Sequence, residues 1–100
     1  MHRSRKDGTH DARARDFAVI GCTVLDMHAI GIAGVPDFVV GCLGVDHLVE
    51  CKDSETAYGR AGLSESQSAF ARGWNGGPVA IVRSTDDVIA LVEQWRKRKA

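Results

Sequence analysis

One hundred residues give a single-domain length, with room for one sheet and a few helices around one core. A hydrophobic fraction of 44% is ordinary for a folded chain, and no apolar run approaches the roughly 20 residues that cross a bilayer, so neither a membrane span nor a membrane partner is expected. Net charge is zero but unevenly spread: residues 1–16 carry five basic and three acidic side chains, residues 17–95 four basic and ten acidic, and residues 96–99 read RKRK.

An acidic middle suits a cation site, and basic ends suit phosphate contacts, although solvated, frayed termini at 1–8 and 96–100 are the plainer account of the same charges. The basic start MHRSRKDGTH is followed by no apolar segment with a small-residue cleavage site, so an intracellular chain is expected. Cys22, Cys42 and Cys51 show no CxxC spacing and lie in or beside apolar segments. They are expected to be small buried hydrophobes in a reducing compartment.

In chain order, THDARARDFAVIG (9–21) reads as a helix with Thr9 or Asp11 at its start and Gly21 at its end. Its apolar stripe is Ala14, Phe17 and Ala18, and one turn earlier the same stripe reaches His10. CTVLDM (22–27) is a short strand, and HAIGIAGVP (28–36) a glycine-rich connection. DFVVG (37–41) and VDHLVECK (45–52) are strands joined by a tight reversal at Leu43 and Gly44. LSESQSAFARGW (63–74) is a helix capped by Ser64 with an inward stripe of Leu63, Gln67, Phe70 and Trp74. GGPVAIVRS (76–84) holds a strand whose apolar run suggests burial on both faces. STDDVIALVEQWRKRK (84–99) is a helix capped by Ser84 or Thr85, with Val88, Leu91, Val92 and Trp95 buried. Its acids precede its basic end as the helix dipole favours, which by itself accounts for the basic tail.

A symmetric reversal pairs Cys42 with Val45, Gly41 with Asp46, Val39 with Leu48 and Asp37 with Glu50. Opposed residues share a face with Cβ atoms about 5 Å apart, and Lys52 projects to that face as well. Two opposed acids repel unless a cation or a proton lies between them. Gln67 is the polar member of an apolar stripe; it either serves this site or completes a capping box with Ser64.

Two carboxylates and a lysine on one face suit a hard divalent cation, Mg2+ or Mn2+, held by Asp37, Glu50 and the Cys51 backbone carbonyl. Such an ion polarises a phosphoryl oxygen and lowers the pKa of a bound water, with Lys52 positioning the water or offsetting charge on the phosphate. Phosphodiester hydrolysis is the reaction this set fits. Glycoside hydrolysis needs a sugar-sized cleft between its acids, which is hard to build at this length. No GxSxG elbow or Walker-type glycine loop is present, and no organic cofactor is expected. The alternatives are a non-catalytic nucleic-acid-binding module and an interaction protein on a degenerate nuclease fold.

The blocks VPDFVVG, LVECK, LSESQSAF and GGPVAIVRS resemble the VRR-NUC-type branch of the PD-(D/E)XK nucleases, including its small phage and prophage members, over residues 7–95. Pro36-Asp37 matches the family's Pro-Asp, Glu50-Cys51-Lys52 its acid-x-lysine, and Gln67 its helix glutamine. His10 falls at or near the first-helix position, where the commonest residue is glutamate, so contact with the metal through water is what the match implies there. The resemblance implies a single α/β nuclease domain over 1–100 with a restriction-endonuclease-like core, order α-β-β-β-α-β-α, its mixed sheet flanked by helices. It also implies catalytic Asp37, Glu50, Lys52 and Gln67, and a magnesium- or manganese-dependent endonuclease acting on branched or flapped DNA. The small members are similar to dimeric Holliday-junction resolvases, and a homodimer in the cytoplasm of a bacterial host or phage-infected cell is expected. Arg3, Arg5, Lys6, Arg60, Arg96, Lys97, Arg98 and Lys99 are the candidate DNA contacts.

Overall fold

The computed structural model describes residues 8–56 and 62–99. Arg3, Arg5, Lys6 and Arg60, and the side chain of Lys99, lie outside the described residues. Helix α1 (Gly8–Val19) is followed by β1 (Thr23–Asp26), a short 3-10 turn (His28–Ile30), β2 (Phe38–Cys42), β3 (Val45–Cys51), α2 (Glu65–Gly73), β4 (Val79–Val82) and α3 (Thr85–Lys99). The strands form one mixed sheet in the order β1-β2-β3-β4, with β3 and β4 parallel and the other neighbours antiparallel. The described residues thus form a small α/β fold of one four-stranded mixed sheet and three helices.

The period-2 pattern of β2 decides which face is core. Phe38, Val40 and Cys42 are buried on one side, joined by Val49 of β3 and Val82 of β4. Phe17 of α1 and Val88, Val92 and Trp95 of α3 close over that side, with the Phe17 and Trp95 rings stacked at 6.0 Å. Ala18, expected in the α1 stripe, is exposed. The inward face follows His10, Ala14 and Phe17, and the next residue is turned away by about 100°. The helix stops where expected: Gly21 takes φ 98°, the Cys22 amide donates to the Phe17 carbonyl at 3.0 Å and the Gly21 amide to the Ala18 carbonyl at 3.1 Å, a Schellman ending.

Leu43 (φ 53°) and Gly44 (φ 80°) form the reversal between β2 and β3, both left-handed, which matches the twist of paired strands. The register runs Cys42↔Val45, Gly41↔Asp46, Val40↔His47, Val39↔Leu48 and Phe38↔Val49, in the alignment that the symmetric turn requires. Continuing the β1–β2 pairing one step past Thr23↔Gly41 sets Cys22 against Cys42. Burial, with a hydrogen bond donated to Cys42 adding, pushes the Cys22 thiol up to about 11, so it is an inert packing group. His47 stacks on Trp95 at 3.7 Å, and burial lowers its pKa.

The other face is only partly covered. Every residue of α2 is at least partly exposed, so the stripe of Leu63, Gln67, Phe70 and Trp74 does not enter the core. Phe70 and Trp74 stack on each other at 5.4 Å instead. For the same reason β4 is not buried on both faces: Val82 is buried, while Val79, Ala80 and Ile81 remain half-buried.

What seats the start of α2 is a close approach of main chains. Gly34 (φ 86°) lies so near the first turn that a Cβ there would collide with the Ser66 carbonyl. Gly34→Ala therefore combines a left-handed backbone cost of about 1–2 kcal/mol with displacement of α2. Thermal melts should show a drop of roughly 4–8 °C per kcal/mol lost, whereas Gly77→Ala, with nothing within 4 Å of a Cβ, should leave the midpoint almost unchanged.

Candidate active site

Asp37 stands one residue before β2 and Lys52 one residue after β3. Extending the register past Phe38↔Val49 puts Asp37 opposite Glu50. Phe38 and Val49 face the core, so Asp37 and Glu50 alternate to the side where α2 lies. Two main-chain contacts fix Asp37: its carbonyl accepts from the Met27 amide at 2.8 Å, and its Oδ2 accepts from the Cys51 amide at 2.8 Å. The second contact ties β2 to the segment that carries Glu50 and Lys52.

Glu50 and Lys52 are each only 5% exposed, which is unusual for charged side chains. Gln67 joins them: its Nε2 donates to Glu50 Oε2 at 2.8 Å, and its Oε1 accepts from Lys52 Nζ at 2.7 Å. Lys52 Nζ lies 3.7 Å from the same Glu50 oxygen. The capping box is present as well, with Ser64 Oγ accepting from the Gln67 amide and Gln67 Oε1 accepting from the Ser64 amide at 2.8 Å. The two roles open to Gln67 are filled at once, because a carbonyl oxygen has two lone pairs and the amide nitrogen remains for Glu50.

Burial raises the Glu50 pKa to about 7, and the charge of Asp37 pushes the same way, while Lys52 pulls against them. The expected repulsion between the two acids is therefore present, and in the absence of a cation a proton relieves it.

His10 is buried at the edge of this cluster, its ring 4.6 Å from that of Phe38. Its Nε2 is 3.2 Å from Asp26 Oδ2 and its Nδ1 is 3.7 Å from Asp37 Oδ1. Asp26, at the end of β1, also accepts the His28 amide at 2.8 Å and so links α1 to the site. Sequence reading gave Asp26 no role; the one available signal was an acid closing a short strand. Of the expected DNA contacts, Arg96, Lys97 and Arg98 are exposed on the last turns of α3. Arg96 Nη2 donates to the Ile20 carbonyl at 2.9 Å, beside the Cys42 end of β2, ~17 Å along the strand from Asp37.

Among the described residues no three His, Cys, Asp or Glu side chains converge as a metal cluster. The oxygens available as donors are instead those of a pair of carboxylates, Asp37 and Glu50, each bonded through one oxygen to the protein. Such a set fits a hard ion that keeps several waters, as magnesium does, better than zinc, which asks for more protein ligands. No family model, no curated protein and no solved structure matches this chain.

The raised Glu50 pKa has a sign that can be measured. Folded Glu50 holds its proton up to about pH 7 and the unfolded side chain only to its ordinary 4.5, so this group's contribution to stability is full below 4.5 and is lost as pH rises through 7. In metal-free buffer Glu50→Gln should raise the melting midpoint at pH 8, by about 1–3 kcal/mol in stability, and much less at pH 4.5. Equal shifts at both values would contradict the assignment.

Proposed function

We propose that this chain is a divalent-metal-dependent DNA endonuclease of the VRR-NUC type within the PD-(D/E)XK class, built on a restriction-endonuclease-like core. The observation that carries the reading is buried Glu50, raised in pKa beside half-buried Asp37 and bound through Gln67 to buried Lys52 on one face of the sheet. A purely structural site has little reason to bury one acid beside another, since an apolar residue there would be more stable.

Asp37, Glu50 and the Cys51 carbonyl are the groups that would hold Mg2+ or Mn2+, with His10 reaching it through water. Bound there, the ion supplies Lewis acidity toward a phosphoryl oxygen and a more acidic water. The chain's own residues do the rest. Asp37 is aimed by the Cys51 amide, and Glu50 by Gln67. Lys52, held by Gln67, places an ammonium where charge grows on the phosphate and orients the attacking water.

Selectivity for junctions or flaps comes from the resemblance described above. Association of two copies is supported by exposed Leu25, Ile30, Ile32 and Trp74 and by an apolar cavity of about 640 Å³ lined in part by Ile30, Val39, Leu48, Phe70 and Trp74. The basic end of α3 contacts flanking phosphates in this reading, being too far along β2 to reach the scissile one.

Cleavage of a four-way junction, a flap, a single strand and a linear duplex, each with magnesium, manganese or chelator, tests activity and substrate together. Asp37→Ala, Glu50→Ala and Lys52→Ala should each lower the metal-dependent rate by about 100-fold or more, and undiminished cleavage by these variants would assign the activity to a contaminant. Magnesium should also raise the melting midpoint more at pH 8 than at pH 5, since the ion must displace the Glu50 proton, and Asp37→Asn should abolish that gain.

A further inference from the structure

β4 runs beside β3 with Cys51 against Val82, and the Lys52 amide donates to the Val82 carbonyl at 3.0 Å. One step further along both strands sets Arg83 beside Lys52. Val82 points into the core, so Arg83 turns to the opposite face, the one carrying Asp37, Glu50 and Lys52. The tip of the side chain agrees with that direction: Arg83 Nη2 lies 4.0 Å from where a Cβ on Gly62 would stand, two residues before the Ser64 cap of α2. The main chain here is anchored, because the Arg83 amide donates to Asp87 Oδ2 at 2.8 Å and the Asp87 amide to Ser84 Oγ at 3.0 Å.

The guanidinium differs from those of Arg13 and Arg96 and from the Lys52 ammonium. Arg13 is bound to Asp16 and Thr85, Arg96 to the Ile20 carbonyl, and Lys52 to Gln67. Arg83 is half-buried, yet among the described residues its guanidinium makes no hydrogen bond or ion pair. A partly desolvated fork of five donors with none engaged by the described residues is placed for a ligand with matching acceptors. In the reading above the two acids are taken up by the ion, so an unengaged guanidinium on the same face adds positive charge for an anionic ligand such as a phosphodiester.

We propose that Arg83 is a substrate-binding residue of this site, gripping the non-bridging oxygens of a DNA phosphate at or next to the scissile one. The proposal rests on the nuclease reading above. A bidentate guanidinium–phosphate contact is charge-assisted and geometrically selective, and lysine reproduces the charge without the fork.

Binding is measured by fluorescence anisotropy on a labelled four-way junction and a labelled linear duplex, with Asp37→Asn in every protein so that the DNA stays intact. Adding Arg83→Gln should weaken affinity by about 10- to 100-fold and reduce the slope of log affinity against log salt by about 0.9, the loss of one phosphate contact. Arg83→Lys should keep the slope while losing part of the affinity. In otherwise wild-type protein, kcat/KM for cleavage should fall by a similar factor in Arg83→Gln, with the melting midpoint within a few degrees of wild type for Arg83→Lys. If wild type cleaves and Arg83→Gln retains both kcat/KM and salt slope, the assignment of Arg83 is overturned and the nuclease reading survives. If wild type neither binds nor cleaves any of these DNAs, the nuclease reading fails first, and this proposal with it.

Discussion

The opposition of Asp37 and Glu50 across β2 and β3 is the constraint around which the rest of the molecule is arranged. Left alone it opposes folding, because two carboxylates are brought together on a partly covered sheet face and Glu50 is removed from water. Three features hold it in place. The two-residue reversal at Leu43 and Gly44 fixes the register, the Cys51 amide binds Asp37, and Gln67 binds Glu50 and Lys52 together. The apolar side of the same strands supplies the stability that offsets it: Phe38, Val40, Val49 and Val82 are wholly buried against α1 and α3.

The two faces of the sheet therefore do different work. One is a packed core in which Phe17, Trp95 and the central valines exclude water. The other is half open, carries the charged cluster and is roofed by a helix whose every residue keeps some exposure. This division is possible because antiparallel strands alternate strictly, so each residue added to one face leaves its neighbours on the other.

How much of this could be read in advance depended on whether short-range chemistry decided the outcome. The hairpin register was legible because a left-handed Gly44 and period-2 alternation leave one alignment that buries Phe38 and Val49. The inward turn of His10 followed from helical spacing, and the stripe of α3 from its strong pattern, with Val88, Val92 and Trp95 buried and Leu91 half-buried against them. Trp74 and the outer face of β4 were misread, since periodicity says which residues share a face but not whether anything covers it. Asp26 and Arg83 were missed because their relevance comes from strand neighbours, the first through the fold of α1 onto β1 and the second through a parallel pairing made across an intervening helix. The distance of the α3 tail from the site likewise follows from the direction of a helix, which charge counting does not contain.

Gln67 has a consequence for how the molecule breathes. The helix that carries it is joined to the sheet chiefly by that one amide and by the close seat of Gly34, so it belongs to the part of the protein that opens first in local fluctuations. Each opening withdraws Gln67 from both Lys52 and Glu50, which stay beside each other on the sheet, while the hydrophobic layer beneath stays intact. The fraction of molecules with an assembled constellation is then set by a small local free energy, and any solute that binds the closed helix preferentially raises that fraction.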